Sequence, residues 1–249
     1  MLVWSAIEAT ADPIRVMSIG DSITAGYTDN PNWNVDFNHG YRSGLYTQLT
    51  DAGYDIQMVG GSTEPYDDAF PGDPSRGGTH TPAVDLAAIG QDGHRGYGGK
   101  ATPFFLPRMQ DVRARPGLLT VDDPDVVLIH LGTNGRFTTE LDTLLEGIFN
   151  ARPDIGIVLA KIIPKAVYQP ATVVYNDFVS DTLIPKYQGL GAKIRLADHY
   201  TPFLTDPNDP SSINLSLMAT GNHPNGVGYD VMAGVWFEAV ERLLAPTPA

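Results

Sequence analysis

The chain has 249 residues, 42% of them hydrophobic, and its 29 acidic residues against 16 basic ones give a formal net charge of −13. Phosphate backbones and anionic membranes repel such a chain, so nucleic acid is excluded as an expected partner and a neutral substrate is favoured. The absence of cysteine excludes disulfides, thiolate metal sites and cysteine nucleophiles.

The beginning of the chain bears on localisation. No apolar run approaches the roughly 18 residues that cross a bilayer, so no membrane span is predicted. Residues 9–11 read Ala-Thr-Ala, an A-x-A pattern typical of signal peptidase sites, although no basic stretch precedes them. We therefore expect residues 1–12 to be a tail or the remnant of an export signal. The protein is expected to be secreted, with a cytoplasmic location as the alternative.

Apolar, β-branched runs alternate with segments of helical spacing. The runs predict strands at residues 14–19, 56–59, 126–131, 155–160 and 194–197. The segments between them predict helices at about residues 41–52, 103–115, 141–151, 175–190 and 226–244, the last with Val227, Val231, Val235 and Leu243 on its inner side. This alternation predicts an α/β fold: a five-stranded parallel sheet between two helical layers, in a flavodoxin-like sandwich. No linker or repeat interrupts it, so residues 13–246 are predicted to form one domain, expected to be a monomer.

Two long segments lack periodicity. Residues 27–40 are rich in Asn and Asp, and residues 62–99 are rich in Gly, Pro and Asp. Loops of this length inside a compact domain are usually functional or disordered. Both should emerge near the carboxyl ends of the strands, where open α/β sheets bind their ligands.

Residues 19–26 read I-G-D-S-I-T-A-G and follow the first predicted strand directly. A strand that enters a tight glycine turn can aim a serine hydroxyl outward. It also leaves the first N–H groups of the next helix free to hold an oxyanion. Ser22 is thus a candidate nucleophile. The alternative is an ordinary turn in which Asp21 or Ser22 caps a helix.

Three further segments supply what a serine nucleophile needs. Asn134 follows the third predicted strand, where its amide could donate to a developing oxyanion. The glycine-rich residues 92–99 could turn backbone N–H groups toward the same place. His223, on the connection before the last helix, could act as the base. Taken singly, each has a plainer interpretation: a turn cap, a mobile loop and a surface histidine.

Together these blocks resemble the SGNH hydrolases, the GDSL-type esterase and lipase superfamily. The matching residues are Ser22 in G-D-S, Gly96 in the glycine-rich loop, Asn134 in G-T-N and His223 in H-P-N. Their order and spacing agree over nearly the whole chain. The resemblance implies the SGNH hydrolase fold and a serine esterase without a cofactor. Ser22 would attack the ester and His223 would take its proton. The N–H groups of Ser22 and Gly96 and the Asn134 side chain would hold the oxyanion.

Within that superfamily, residues 92–97 resemble the H-E-G-H-S-G-W segment of carbohydrate esterase family 3, the acetyl xylan esterases. They read D-G-H-R-G-Y, with Gln91 at the position of the first histidine and Asp92 at that of the glutamate. This resemblance implies a small-molecule or polysaccharide ester substrate, with acetyl removed from a polymer such as xylan. His94, Tyr97 and Asp21 are candidates to line the substrate site, although Asp21 is expected mainly to brace the turn. The alternatives are a lipase, phospholipase or thioesterase on the same fold, or a non-catalytic carbohydrate-binding relic.

The chain departs from the superfamily three residues before His223. Where D-x-x-H is usual, Thr220 replaces the aspartate that orients the imidazole and stabilises its charged form. A backbone carbonyl near residues 219–221, the Thr220 hydroxyl or the Asn222 amide could take that place. An acid from the preceding loop, Asp206 or Asp209, could also do so. We favour a Ser22–His223 dyad that a neutral acceptor orients.

No metal is expected, because the histidines lack ligand spacing such as H-E-x-x-H. His130 lies within a strand and is expected to be structural. An acidic stretch in the second long loop could hold calcium, but it lacks the twelve-residue calcium-loop pattern, and a solvated loop is favoured. That stretch contains Asp67, Asp68 and Asp73. Four aromatic residues in predicted loops could stack on sugar rings or simply pack: Trp33, Tyr66, Tyr97 and Tyr168.

Overall fold

The computed structural model describes residues 12–27, 40–62, 84–112 and 115–245. The main strands are β1 (Ile14–Gly20), β2 (Ile56–Val59), β4 (Val126–His130), β5 (Gly156–Lys161) and β6 (Ile194–Asp198), and a two-residue strand is β3 (Arg95–Gly96). The main strands form one parallel sheet in the order β2-β1-β4-β5-β6, and β3 pairs with the end of β1. The predicted five-stranded parallel sheet and its flavodoxin-like order are confirmed.

Helices cover both faces of this sheet and complete three layers. They are α1 (Ser22–Ala25), α2 (Tyr41–Asp51), α3 (Thr102–Met109), α4 (Leu118–Asp122), α5 (Thr138–Ala151), α6 (Pro170–Asp177), α7 (Ile184–Gly189) and α8 (Gly226–Leu244). A π-helical segment (Phe178–Leu183) joins α6 to α7. Along β4, Leu128 packs in the cluster with α2 and α8, whereas Val127 and Ile129 pack in the cluster with α3 and α5. This alternation is the period of two that a strand covered on both faces requires.

The helix predicted over residues 103–115 is shorter than expected. It ends at Met109, and Gln110 is already extended, with φ −106° and ψ 161°. Pro107 removes one intrahelical donor, and the Asp111 carboxylate accepts from Gly117 N at 2.7 Å, which closes a loop instead of a further turn. The helix predicted over residues 175–190 begins earlier, at Pro170, because proline suits the first turn of a helix.

The inner side of α8 is also corrected. Val227 is 58% exposed, and the other three predicted positions lie at the edge of the core. The buried stripe is Tyr229, Met232, Ala233, Trp236 and Val240. Valine spacing alone misled the prediction, because the large aromatic side chains bury more surface and set which face turns inward.

The connections at the carboxyl edge of the sheet carry the residues that the motifs singled out. One of them ends in a short antiparallel pair, β7 (Met218–Thr220) with β8 (His223–Pro224), just before α8. Most of the two long loops falls outside the described residues, and so do residues 1–11. Within the described ranges, no helix combines the length and the apolar character needed to span a membrane.

Candidate active site

The serine turn is built by the end of β1. Asp21 caps α1, its Oδ1 accepting from Ile23 N at 2.9 Å, and Ser22 is the first helical residue. Gly20 is required there, because a Cβ at this position would lie 2.1 Å from Thr24 Oγ1. The helix closes after one turn at Gly26, whose φ is 103°. The local sequence therefore places the Ser22 hydroxyl at the carboxyl edge of the sheet.

Ser22 meets a histidine from the far end of the chain. His223 Nε2 lies 2.6 Å from Ser22 Oγ, across 201 positions of sequence. Both side chains are nearly buried, with 5% and 6% of their surface exposed. Asn225 caps α8 through Gly228 N at 3.0 Å, which fixes the end of the turn that carries His223. Nucleophile and base are thus within hydrogen-bond distance, the arrangement that activates a serine.

The two loop acids that could replace the aspartate make local hydrogen bonds. Asp206 accepts from Asn208 N, and Asp209 accepts from Ser211 N and Oγ, each in its own exposed turn.

The remaining candidates for orienting the imidazole lie in the turn itself. The Gly221 carbonyl accepts from Ala166 N at 2.7 Å, and Asn222 is partly exposed beside it. The Thr220 side chain is outside the described part of the structure. The Tyr27 ring packs beside the imidazole of His223 at 6.2 Å between centroids.

Asp21 contributes more than a cap. Its side chain is fully buried, and Oδ2 has no hydrogen-bond donor among the described residues. Burial raises the pKa of Asp21 to about 6, against opposing effects of the Ile23 N–H, the charge of His223 and the nearby Thr133 hydroxyl. The residue next to Ser22 therefore carries a buried carboxyl group that interacts electrostatically with His223.

Gly96 lies next to the serine turn through the pairing of β3 with β1, where it faces Gly20. A Cβ on Gly96 would stand 2.5 Å from Ala25 N, so only glycine lets this loop pack against α1. Its N–H donates to Nδ1 of the buried His94 at 3.0 Å. In this conformation the Gly96 N–H is therefore engaged within its own loop instead of being unoccupied.

Asn134 stands at the rim and is exposed. Its Nδ2 donates to the Lys100 carbonyl at 3.2 Å, which uses one of the two N–H bonds of the amide. Tyr97, predicted with Asp21 and His94 to line the substrate site, packs on Phe104 and Phe105, and its hydroxyl accepts from Arg95 Nη1 at 3.2 Å. The structure thus joins Ser22 and His223 directly, whereas Asn134 is exposed and Tyr97 packs among aromatic side chains.

Two arginines that the sequence did not single out hold these loops. Arg42 is 2% exposed and donates to the Thr24 carbonyl at 3.2 Å and to the Asp92 carbonyl at 2.9 Å. Arg95 forms two hydrogen bonds with the Asp122 carboxylate, at 2.6 and 2.7 Å. This partner raises the pKa of Arg95 further above its usual range despite the opposing effect of burial. No local pattern marks either arginine, because their partners are distant in sequence.

The other histidines are structural or lie outside the described ranges. His130 is fully buried in β4, and burial lowers its pKa to about 4. His199 packs against it at 5.8 Å between centroids, and burial lowers its pKa well below the usual value. His39, His80, Trp33, Tyr66 and the acidic stretch Asp67, Asp68 and Asp73 are outside the description. The described residues contain no group of three metal-ligating side chains.

Solved structures share this architecture. A family 3 carbohydrate esterase from Clostridium thermocellum superposes with a TM-score of 0.65 at 21% identity, over 93% of this chain and 98% of that chain. A carbohydrate esterase family 3 protein from Talaromyces cellulolyticus gives 0.61 at 19%, over 92% and 97%. A lipase/acylhydrolase from Enterococcus faecalis gives 0.59 at 16%, over 95% and 100%. No protein-family model and no curated protein sequence matches the chain. These similarities show the SGNH hydrolase fold that the motifs implied.

Proposed function

We propose that the chain is a carboxylic ester hydrolase that removes short acyl groups, above all acetyl, from a polysaccharide. The observation that carries the proposal is the 2.6 Å approach of His223 Nε2 to Ser22 Oγ. A relic without catalytic function has no need to keep a nearly buried serine and histidine in that geometry. The possible export signal in residues 1–12 suits a polymer outside the cell, so secretion is part of the proposal.

The reaction follows from these parts. Ser22 Oγ attacks the ester carbonyl while His223 Nε2 takes its proton. The tetrahedral intermediate collapses when His223 returns that proton to the leaving alcohol, and an acetyl-enzyme remains on Ser22. A water that His223 deprotonates then attacks the acetyl-enzyme and releases acetate, and the proton goes back to Ser22.

Two N–H donors that form no hydrogen bond among the described residues are candidates to hold the oxyanion. The Ser22 N–H is the first of α1 and has no acceptor within that helix. The second N–H of Asn134 Nδ2 is the other. Gly96 would join them when its N–H leaves His94 Nδ1 as the substrate binds. Asp21 stabilises the imidazolium through its charge, which partly compensates for the threonine at position 220.

The acyl group and the polymer are inferred from two kinds of support. The residues that resemble family 3 esterases and the two structural neighbours described as members of that family favour acetyl on a carbohydrate. The polar composition of the long loops disfavours the apolar groove that a long acyl chain needs. The lipase/acylhydrolase neighbour supports the second candidate, a lipase or thioesterase on the same fold.

Chain-length preference tests this proposal. We would measure hydrolysis of p-nitrophenyl acetate, butyrate and octanoate, and acetate release from acetylated xylan, by the wild type and Ser22→Ala. Ser180→Ala is the matched control, because that hydroxyl forms hydrogen bonds with Asp177 and Asp181, near its own position in the chain. We expect turnover to be fastest with the acetate ester and to fall as the acyl chain becomes longer. Acetate-ester turnover should drop at least about a thousandfold in Ser22→Ala and stay unchanged in Ser180→Ala.

Two outcomes would contradict the proposal and favour another function. Preference for octanoate would favour the lipase. Absence of serine-dependent turnover, together with no covalent labelling of Ser22 by an organophosphate, would favour the carbohydrate-binding relic.

A further inference from the structure

The rim of the candidate site is a continuous arc of four loops, residues 97–101, 131–138, 162–170 and 219–225. The first loop is tied to the serine turn, and each following loop is tied to the one before it. These ties are Tyr97 N to Gly20 O at 3.0 Å, Asn134 Nδ2 to Lys100 O at 3.2 Å, Arg136 Nη2 to Gln169 Oε1 at 2.5 Å, and Ala166 N to Gly221 O at 2.7 Å. Since Gly221 is two residues from His223 and Gly20 two from Ser22, the arc runs from one catalytic residue to the other.

The charge of this rim is opposite to that of the chain. Its four loops contain Lys100, Arg136 and Lys165 and no aspartate or glutamate. The whole chain carries 29 acidic residues against 16 basic ones. Within these four loops, three cations without one acid therefore need an explanation in terms of the site.

None of the three cations has a carboxylate partner in the described parts of the chain. Other cations do have one there: Arg95, Arg152, Lys161, Lys186 and Arg242. Arg136 donates through Nη2 to Gln169 and Thr172, and its buried Nε has no acceptor. Lys100 is exposed, with Nζ 5.5 Å from the centre of the Phe104 ring. Neither is needed for an internal ion pair.

Two acids near the rim are engaged elsewhere. Asp209, whose charge acts on Tyr200 beside Tyr168 of the rim, is held by Ser211 at 2.6 Å. Asp21, next to Ser22 in the chain, is fully buried. At the rim itself, the described side chains thus offer donors and positive charge to whatever binds there.

We propose that the polysaccharide carries carboxylates, as uronic acid residues, close to the acyl group that is removed. This inference rests on the proposed esterase function. The guanidinium of Arg136 contributes its positive charge and the N–H groups of Nη1, because Nη2 already donates to Gln169 and Thr172 and Nε is buried. The two lysines supply point charges. The net charge of −13 by itself favours a neutral substrate. The repulsion by distant charges is screened beyond about 8 Å at physiological salt. The charges in contact with the substrate therefore determine whether a charged polymer binds.

The experiment compares charged and uncharged forms of one polymer. Acetylated glucuronoxylan bears uronate on its branches, and acetylated polygalacturonate bears it in the backbone. The carboxyl-reduced form of each, acetylated to the same degree, is the neutral reference. The measured quantity is the ratio of kcat/KM for each charged polymer to that for its reduced form. Lys100→Gln, Arg136→Gln and Lys165→Gln are tested singly and together. The control is Lys193→Gln, an exposed cation before β6 at the opposite edge of the sheet.

We expect a ratio well above one for the wild type with at least one charged polymer, and the better polymer identifies where the uronate lies. Each rim substitution should lower that ratio about two- to fivefold, and the control should not. About 1 M salt should lower it toward one in the wild type, because screening then acts within about 3 Å.

A ratio that the triple variant leaves unchanged, while turnover still depends on Ser22, overturns the inference and leaves the esterase function standing. If no ester is hydrolysed at all, the proposed function fails instead. Affinity electrophoresis of Ser22→Ala in the charged polymers then tests whether the rim binds uronate. Binding that the triple rim substitution weakens supports a uronate site, and binding that it does not weaken overturns it.

Discussion

Asp21→Asn should stabilise the protein at neutral pH while it slows the reaction. The carboxyl group is fully buried, and its pKa is raised from 3.8 to about 6, chiefly by burial. A raised pKa in an acid means that the folded state holds its proton more tightly than the unfolded state. Folding is then penalised as pH rises from 3.8 through 6.

The size of the penalty follows from these two values. It is about 1 kcal/mol at pH 4.5 and about 3 kcal/mol at pH 8, and it vanishes below the unfolded pKa. Asparagine has the same shape, keeps an oxygen for Ile23 N and carries no charge. The variant should therefore gain about 3 kcal/mol in free energy of unfolding at pH 8, or about 6 °C or more in Tm, and much less at pH 4.5.

The assay is urea unfolding of the wild type and Asp21→Asn at both pH values, with the exposed Asp154→Asn as control. In parallel, kcat should fall on the order of tenfold, because the imidazolium loses a nearby negative charge. The kcat of the wild type should also rise as pH increases through about 6, because Asp21 becomes charged. The variant should lack this part of the increase. Equal stability of the two proteins at pH 8, or unchanged kcat, would refute the reasoning.

Two further substitutions test how the loops are held. Gly96→Ala adds a methyl group 2.5 Å from the backbone of α1. We therefore expect a loss of about 1–3 kcal/mol in the free energy of unfolding and a lower kcat. Gly189→Ala, with open space around it, should change neither. Asp122→Asn leaves the largely buried Arg95 without its carboxylate and should cost about 3 kcal/mol in urea unfolding. Asp123→Asn breaks an exposed pair and should cost less than about 1 kcal/mol. Comparable losses for both members of either pair would contradict the packing described here.

Local patterns in the sequence determined which segments form the strands of the sheet. Five apolar runs predicted the five strands, because strands buried on both faces are continuous in hydrophobicity. The G-D-S turn also followed from local rules, since a short glycine turn after a strand leaves few conformations. Where the local signals were weak, the prediction was wrong. The predicted helix end after Met109 was too late, and the predicted inner face of α8 was not the buried one.

What the sequence could not supply were quantities that depend on distance through space. The 2.6 Å contact between Ser22 and His223 joins residues 201 positions apart, and only the folded chain brings them together. The pKa of Asp21 depends on burial that no neighbour in sequence reveals. In the same way, net charge favoured a neutral substrate, whereas the folded rim collects Lys100, Arg136 and Lys165 from three loops. Residue types and periodicity are local and can be read along the chain, but contact, burial and local charge arise only when distant segments pack side by side.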